Sequence, residues 1–392
     1  MESEVRTTFD PGKRLLLGPG PSPVPPRVLR ALSAPLLGHL DPEFLSMMNE
    51  IQDKLRLVFR TSNPLTIPVS GTGSAGMEAS FVNFVDPGDS VVVCVAGIFG
   101  QRMQDVAQRC GAHVTLVETP WGTPVDTQQV LDAVGKAAPK LVAIVHAETS
   151  TGVHQPIQEL AASLAATETL LLVDCVTSLG GMPVLVDEWK VDIAYSGTQK
   201  CLSAPPGLSP LTISDKARQV MRRKKNKPQS WYLDVTMVEK YWGEDRTYHH
   251  TAPISMEYAL LEALSIVLEE GLELRWQRHC ANHLALVQGV EHLGLQMLVA
   301  PAHRLWSLNA IRVPDRVDEL RVRQQLLHDF AIEIGGGLGP LKGKIWRVGL
   351  MGHGSSRSNV ALLLTALEKA LTDQGWRPAR SGGALAAIEG SG

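Results

Sequence analysis

Leu-Leu-Leu-Val-Asp (170–174) and Ile-Ala-Tyr-Ser-Gly-Thr-Gln-Lys (193–200) are the two stretches that decide the fold. Each opens as a short apolar run without polar alternation, the pattern of a strand covered on both faces. The first run ends on Asp174, and the second leads through small residues to Lys200. Laid side by side, two such strands bring a carboxylate and an amine to one edge of a sheet. Outward from them, similar runs occur at Leu65–Ser70, Ser90–Ala96, His113–Glu118, Leu141–His146 and Ser209–Ser214, with helical patterns between. This alternation predicts an α/β fold with a doubly wound, mostly parallel seven-stranded sheet.

The 392 residues exceed what one hydrophobic core usually supports, so a second domain is expected. A helical pattern runs from Ser255 through Glu270, is interrupted at Gly271 and resumes through Leu293. Beyond Gly294 the pattern predicts a smaller α+β section. Its strands fall near Leu308–Val313 and Ile345–Leu350, and its helices over Val317–Asp329 and Asn359–Gln374. The expected organisation is therefore an extended N-terminal arm (1–21), a large domain (22–270), a small C-terminal domain (271–377) and a tail (378–392). The tail is rich in Gly, Ala and Ser, a composition that predicts disorder.

Charge narrows the function classes. With 37 basic and 40 acidic residues the net charge is −3, which argues against a nucleic-acid partner. The single basic run, Arg-Arg-Lys-Lys-Asn-Lys (222–227), reads as a solvated helix end. Cys94, Cys110, Cys175, Cys201 and Cys280 are odd in number and never in C-x-x-C spacing, so neither a zinc site nor a disulfide framework is expected. No run approaches the roughly 18 apolar residues of a membrane span. With no signal-peptide pattern at the N-terminus, the expected location is the cytoplasm.

Several residues carry chemistry. A lysine after one strand and an aspartate ending its neighbour suit pyridoxal phosphate, which is held by a lysine Schiff base and whose ring nitrogen stays protonated against a carboxylate. A surface lysine is the plain alternative. Gly-Thr-Gly-Ser-Ala-Gly (71–76) matches G-x-G-x-x-G after a strand and before a helix, a loop that presents N–H groups to a phosphate. A dinucleotide site would also need an acidic residue at the end of the next strand, but Ser90–Ala96 ends without one. The nicotinamide reading weakens and a cup for a smaller phosphate stands. Arg347, in Ile-Trp-Arg-Val-Gly-Leu (345–350), is either a surface arginine or a buried carboxylate receptor. His249 and His250 invite a metal reading, but neighbours in a strand face opposite sides, so no metal is expected.

The chain resembles the alanine–glyoxylate / serine–pyruvate aminotransferases, which are class V, fold-type I pyridoxal-phosphate enzymes. The resemblance rests on an ordered series: Leu-Gly-Pro-Gly-Pro-Ser (17–22), Ser-Gly-Thr-Gly (70–73), Gly-Ile-Phe-Gly-Gln-Arg (97–102), Glu-Thr-Ser-Thr-Gly-Val (148–153) and Leu-Val-Asp-Cys-Val-Thr-Ser-Leu-Gly-Gly (172–181). It continues through Ser-Gly-Thr-Gln-Lys with Ala-Pro-Pro-Gly (196–207), Tyr-His-His-Thr (248–251), Gly-Gly-Leu-Gly-Pro (336–340) and Trp-Arg-Val-Gly (346–349). It implies that Lys200 is the Schiff-base lysine and proton carrier, and that Asp174 partners the pyridine nitrogen. It implies Val176 and Phe99 on the two ring faces, Thr149 near the phenolic oxygen, and Thr72, Gly73, Ser74 and Gln199 around the phosphate. Tyr248 and Thr251 would reach the same phosphate from a neighbouring subunit, making a homodimer with shared sites. Arg347 and Gly20 would meet the substrate.

The implied activity moves an amino group from alanine or serine to a small 2-oxo acid, most readily glyoxylate. Serine–pyruvate or serine–glyoxylate preference, or a class V lyase or desulfurase, are the alternatives. Two positions depart from many relatives: Phe99 stands where they place tryptophan, and Thr149 where they place serine. A desulfurase needs a cysteine on a mobile small-domain loop, whereas Cys280 falls within a helical pattern.

Overall fold

The computed structural model describes residues 11–389. The first ten residues of the expected arm and the last three of the expected tail lie outside that range. Seven strands form the central sheet: β1 (Leu65–Ser70), β2 (Ser90–Val95), β3 (His113–Glu118), β4 (Leu141–Val145), β5 (Leu170–Asp174), β6 (Ile193–Tyr195) and β7 (Leu208–Ile213). Their order is β1-β7-β6-β5-β4-β2-β3. All pairings are parallel except those of β7, which runs antiparallel to both β1 and β6. β4 and β5 are buried at every residue, which is why their sequences read as unbroken apolar runs.

Helices cover the sheet. Pro42–Phe59 is capped by Asp41, whose carboxylate accepts from the Glu43 N–H at 2.8 Å. It buries Phe44, Met48, Ile51 and Leu55, residues at helical spacing, in the large core. Gly73–Val82 and Ile98–Arg109 follow β1 and β2 directly, so each starts at the carboxyl edge of the sheet. That edge is where open α/β sheets gather their ligands.

Gly271, at φ 82, separates helix Ile254–Glu270 from helix Leu272–Leu293 in a backbone conformation that favours glycine. The second helix enters a separate core with Leu286, Ile311, Trp346, Val348 and Leu364. There a three-stranded sheet, β8 (Leu308–Arg312), β9 (Gly335–Gly336) and β10 (Ile345–Gly349), has β10 in the middle. The arm joins this core: Leu15–Leu16 pairs in parallel with Ile332–Glu333, and Leu17 is buried. No helix among the described residues is long and apolar enough to cross a membrane.

Two expectations are corrected. The composition of the tail predicts disorder, but Gly383–Glu389 is helical and buries Ala387 in the small core. Its approach depends on two glycines. A Cβ on Gly289 would lie 2.7 Å from the Gly383 carbonyl oxygen, and one on Gly383 would lie 3.0 Å from that of Gly289. The small residues that suggest disorder are what let the helices touch. The second correction concerns His249 and His250, which are not in a strand. Their rings turn toward each other, with the two Nδ1 atoms 2.7 Å apart.

Candidate active site

The carboxyl ends of β4, β5 and β6 build the centre. Asp174 closes β5 and is in register with Tyr195 at the end of β6. Neighbours in register share a face, and the Tyr195 hydroxyl donates to Asp174 Oδ2 at 2.6 Å. The Val176 N–H donates to Oδ1 at 2.8 Å. Burial pushes the Asp174 carboxyl up to about 6, against the pull of those two donors, Lys200 and Arg102. The group stays mostly ionised at neutral pH, and a cation placed against it would relieve its desolvation.

Lys200 follows β6 through the turn Ser196–Gln199 and is buried. Its Nζ donates to the Pro19 carbonyl oxygen. Burial lowers the amine to about 8, so a useful fraction is neutral and nucleophilic near physiological pH. Gly20, at φ 105, lies over it: a Cβ there would sit 2.5 Å from Nζ and 2.8 Å from Cδ. The lysine thus belongs to a crowded, dry centre rather than to the surface.

The glycine loop forms one wall. Thr72 is the N-cap of helix Gly73–Val82, yet its side chain makes no capping bond; the Ala75 N–H donates to the Thr72 carbonyl oxygen, while those of Gly73 and Ser74 find no acceptor among the described residues. A Cβ at Gly73 would meet Val176 Cγ2 at 3.1 Å and the Gly197 Cα at 3.6 Å, so this turn and the Lys200 turn touch. Arg102 Nη1 donates to Ser74 Oγ at 3.2 Å, and its guanidinium lies 4.9 Å from the Phe99 ring centre. The buried Gln199 Oε1 finds no partner.

Arg347 sits on β10 and reaches the site from the small core. It is only 7% exposed, which rules out the surface reading. Its Nε donates to the Gly336 carbonyl oxygen at 2.7 Å, and its Nη1 to that of Thr149 at 3.1 Å. Burial lowers its guanidinium to about 10, with Glu148 pulling the other way. These bonds use Nε and Nη1 and leave the Nη2 arm of the fork to meet a carboxylate. Thr149 Oγ1 lies 2.5 Å from Thr177 Oγ1.

Among the described residues, neither Tyr248 nor Thr251 hydrogen-bonds to a member of this cluster. Both are exposed, Tyr248 packs on His39, and its hydroxyl lies 3.5 Å from Thr251 Oγ1. Sequence reasoning missed three residues. Tyr195 and Arg102 lie within quoted stretches, but nothing in their spacing announces their partners. Glu148 opens the stretch Glu-Thr-Ser-Thr-Gly-Val, and burial pushes its carboxyl up to about 7. Its Oε1 accepts from Ser150 N–H and Oγ, while Oε2 is buried without a partner.

These residues fit pyridoxal phosphate. An ionised carboxylate, a buried lysine and a helix N-terminus with free donors answer its ring nitrogen, carbonyl and phosphate respectively. Among the described residues no group of His, Cys, Asp and Glu is placed to hold a metal.

Comparisons with known proteins agree. The Aminotransferase class-V family profile matches residues 14–340. An alanine–glyoxylate aminotransferase from Callithrix jacchus is 42% identical over 362 residues, covering 91% of this chain and 87% of that one. The solved alanine–glyoxylate aminotransferase of Nostoc sp. superposes with a TM-score of 0.91 at 48% identity, covering 93% and 98%. The ureidoglycine–glyoxylate aminotransferase of Bacillus subtilis superposes at 0.96 with 38% identity, covering 98% and 99%. Class-V aminotransferases in general depend on pyridoxal phosphate and act on amino acids and 2-oxo acids. With a family match across most of its length, this chain belongs to the class-V aminotransferases.

Proposed function

We propose that this aminotransferase uses pyridoxal phosphate and passes an amino group from a small amino acid, alanine or serine, to glyoxylate. The observation that carries the reading is the convergence of Lys200, Asp174 and Arg347 from two cores on one centre. The relatives' names support glyoxylate as acceptor, since they differ in the donor but share that substrate. When bound, the cofactor supplies an electron sink and carries the amino group between the two half-reactions.

The chain's own residues supply the rest. Asp174 holds a positive charge at its oxygens, supported by the Tyr195 hydroxyl. Lys200, with an amine near 8, would take the proton from the substrate Cα onto its Nζ. Arg347 orients the substrate carboxylate with a planar fork whose remaining donors are already fixed on Gly336 and Thr149. Thr72, Gly73, Ser74 and Gln199 hold the phosphate, Val176 and Phe99 flank the ring, and Thr149 serves its phenolic side. Gly20 keeps the space above Lys200 open for the substrate.

Tyr248 and Thr251, exposed and not hydrogen-bonded to the residues of their own centre, serve the phosphate of a second copy in a homodimer. A cytoplasmic location accords with the five unpaired cysteines. A desulfurase is disfavoured: Cys280 lies within helix Leu272–Leu293, and burial pushes Cys201, next to Lys200, up to about 11.

Two measurements test the proposal. Borohydride treatment of the coloured protein should fix the cofactor to Lys200. A matrix of donors (alanine, serine, ureidoglycine) against acceptors (glyoxylate, pyruvate) should show glyoxylate leading every row. A colourless protein that cannot be reconstituted sinks the cofactor assignment, and a matrix led by pyruvate sinks the acceptor.

A further inference from the structure

His249 and His250 lie in a segment that is neither helix nor strand. Among the described residues, no N–H group of residues 248–251 finds an acceptor, so backbone hydrogen bonds do not hold this stretch. The two rings do. His250 Nε2 is 2.7 Å from Ser70 Oγ, His250 Nδ1 is 2.7 Å from His249 Nδ1, and His249 Nε2 is 3.3 Å from the Trp231 carbonyl oxygen. His249 is 5% exposed and stacks on the Trp231 indole, with ring centres 4.3 Å apart and 17° between planes. His250 packs against Tyr232 and Tyr241.

A neutral pair admits one arrangement of protons. A carbonyl oxygen only accepts, so His249 carries its proton on Nε2 and its Nδ1 accepts. His250 must then donate from Nδ1, which leaves its Nε2 to accept from the Ser70 hydroxyl. The chain of bonds runs in one direction, from Ser70 to the Trp231 carbonyl. One end is the residue directly before the glycine loop, and the middle is flanked by Tyr248 and Thr251.

We propose that the His249–His250 pair is a neutral, directional relay that positions Tyr248 and Thr251 for a phosphate. The phosphate role rests on the reading given under Proposed function; the proton arrangement does not. The groups facing the pair are Ser70, Trp231, Tyr232 and Tyr241, none of them a carboxylate that would favour a charged ring. The Tyr241 hydroxyl is engaged elsewhere, on the His39 carbonyl oxygen. Burial, with His249 beside it, lowers His250 to about 4. A proton added to His249 would reverse the chain: His249 Nδ1–H would donate to His250, and His250 Nε2–H to Ser70.

Long-range 1H–15N correlation spectra of the full chain labelled on histidine, at pH 7.5, test the arrangement. His249→Gln and His250→Phe assign the two signals by their disappearance. The expected result is Nε2–H for His249 and Nδ1–H for His250. A charged His249, or Nε2–H on both rings, overturns the relay. Fluorescence titration with pyridoxal phosphate tests positioning: His250→Phe should weaken binding roughly tenfold or more, as expected for two lost hydrogen bonds. His250→Gln, which keeps an acceptor for Ser70, should recover part of it. Ser70→Ala carries the same expectation of weakened binding where His250→Phe does not fold. Unchanged affinity in these variants beside normal wild-type binding overturns the positioning role alone. A wild-type chain that binds no cofactor overturns that role and the cofactor reading together, while the spectra still decide the proton arrangement.

Discussion

Replacing Lys200 with methionine is expected to stabilise the cofactor-free protein while abolishing transamination. Burial lowers the Lys200 amine from 10.5 to about 8. Each tenfold loss of proton affinity corresponds to about 1.36 kcal/mol, so keeping the ammonium form in the fold costs about 3 kcal/mol at pH 7. Removing the bond to the Pro19 carbonyl returns about 1 kcal/mol of that. Methionine fills the same slender volume without charge. The net gain is about 2 kcal/mol, a rise in Tm on the order of 2–4 °C for a chain of this length. The pH dependence identifies the cause. An unfolded chain keeps the lysine proton up to 10.5 and the folded one only to about 8. Between those values the unfolded state binds more protons, so wild-type stability rises with pH. The advantage of Lys200→Met should therefore be full below about pH 8 and gone above about 10.5. Denaturant titrations of both cofactor-free proteins at pH 7 and pH 10 read the difference. A variant less stable than wild type at pH 7, or an advantage equal at both pH values, refutes the reasoning.

Two further substitutions probe the same centre. Arg347→Ala should lower kcat/KM for amino acid and 2-oxo acid alike by about 2–5 kcal/mol of transition-state binding, because a desolvated carboxylate loses its guanidinium. Arg347→Lys should not restore it, since a point charge cannot keep the Gly336 and Thr149 bonds together with the substrate. Steady-state kinetics on both substrates checks this. Tyr195→Phe leaves Asp174 Oδ2 buried without its donor and should cost about 1–3 kcal/mol of stability. The Asp174 carboxyl, already raised to about 6, should move higher, since the hydroxyl favours its ionised form. The acid limb of the kcat/KM profile should shift upward in pH, and an unmoved limb would show that Asp174 does not set it.

What could be read from the sequence depended on whether the signal was local. The inner sheet strands were legible because a strand buried on both faces, such as Val-Val-Val-Cys-Val after Ser90, carries its burial in its own composition; His113–Glu118, at the sheet edge, was legible from its Val and Leu residues although it is mostly not buried. Lys200 and Asp174 were legible because their place at strand ends followed from those runs. Arg347 was ambiguous: its strand is apolar, but only the arm and the Glu148 segment packing against it decide that it is buried. Glu148 and Tyr195 could not be recognised, since a buried carboxyl and a buried phenol look like any others until a local turn folds Glu148 onto Ser150 and register sets Tyr195 beside Asp174. The histidine pair was misread for the opposite reason. The side-chain period of a strand would separate two rings that an irregular backbone brings into contact.

The same distinction explains how the site is supported. Asp174 and Lys200 are fixed by the large core, through strand register and a buried turn. Arg347 is fixed by the small core, through the middle strand of its sheet. The two cores meet where the arm crosses: Pro19 accepts from Lys200 while its ring lies 2.6 Å from where a Gly335 Cβ would be, beside Arg347. Ser22 adds a second tie, donating to the Lys200 carbonyl oxygen at 2.7 Å. Arg347 and Lys200, held on separate cores, depend on such a strap for their spacing. A mutation at Leu17, which is buried in the small core and makes no hydrogen bond to Lys200, therefore acts on distance between the two groups rather than on either group alone. Its signature should be a loss in kcat larger than the loss in cofactor affinity, because the proposed phosphate loop at Gly71–Ser74 leads into a helix packed in the large core.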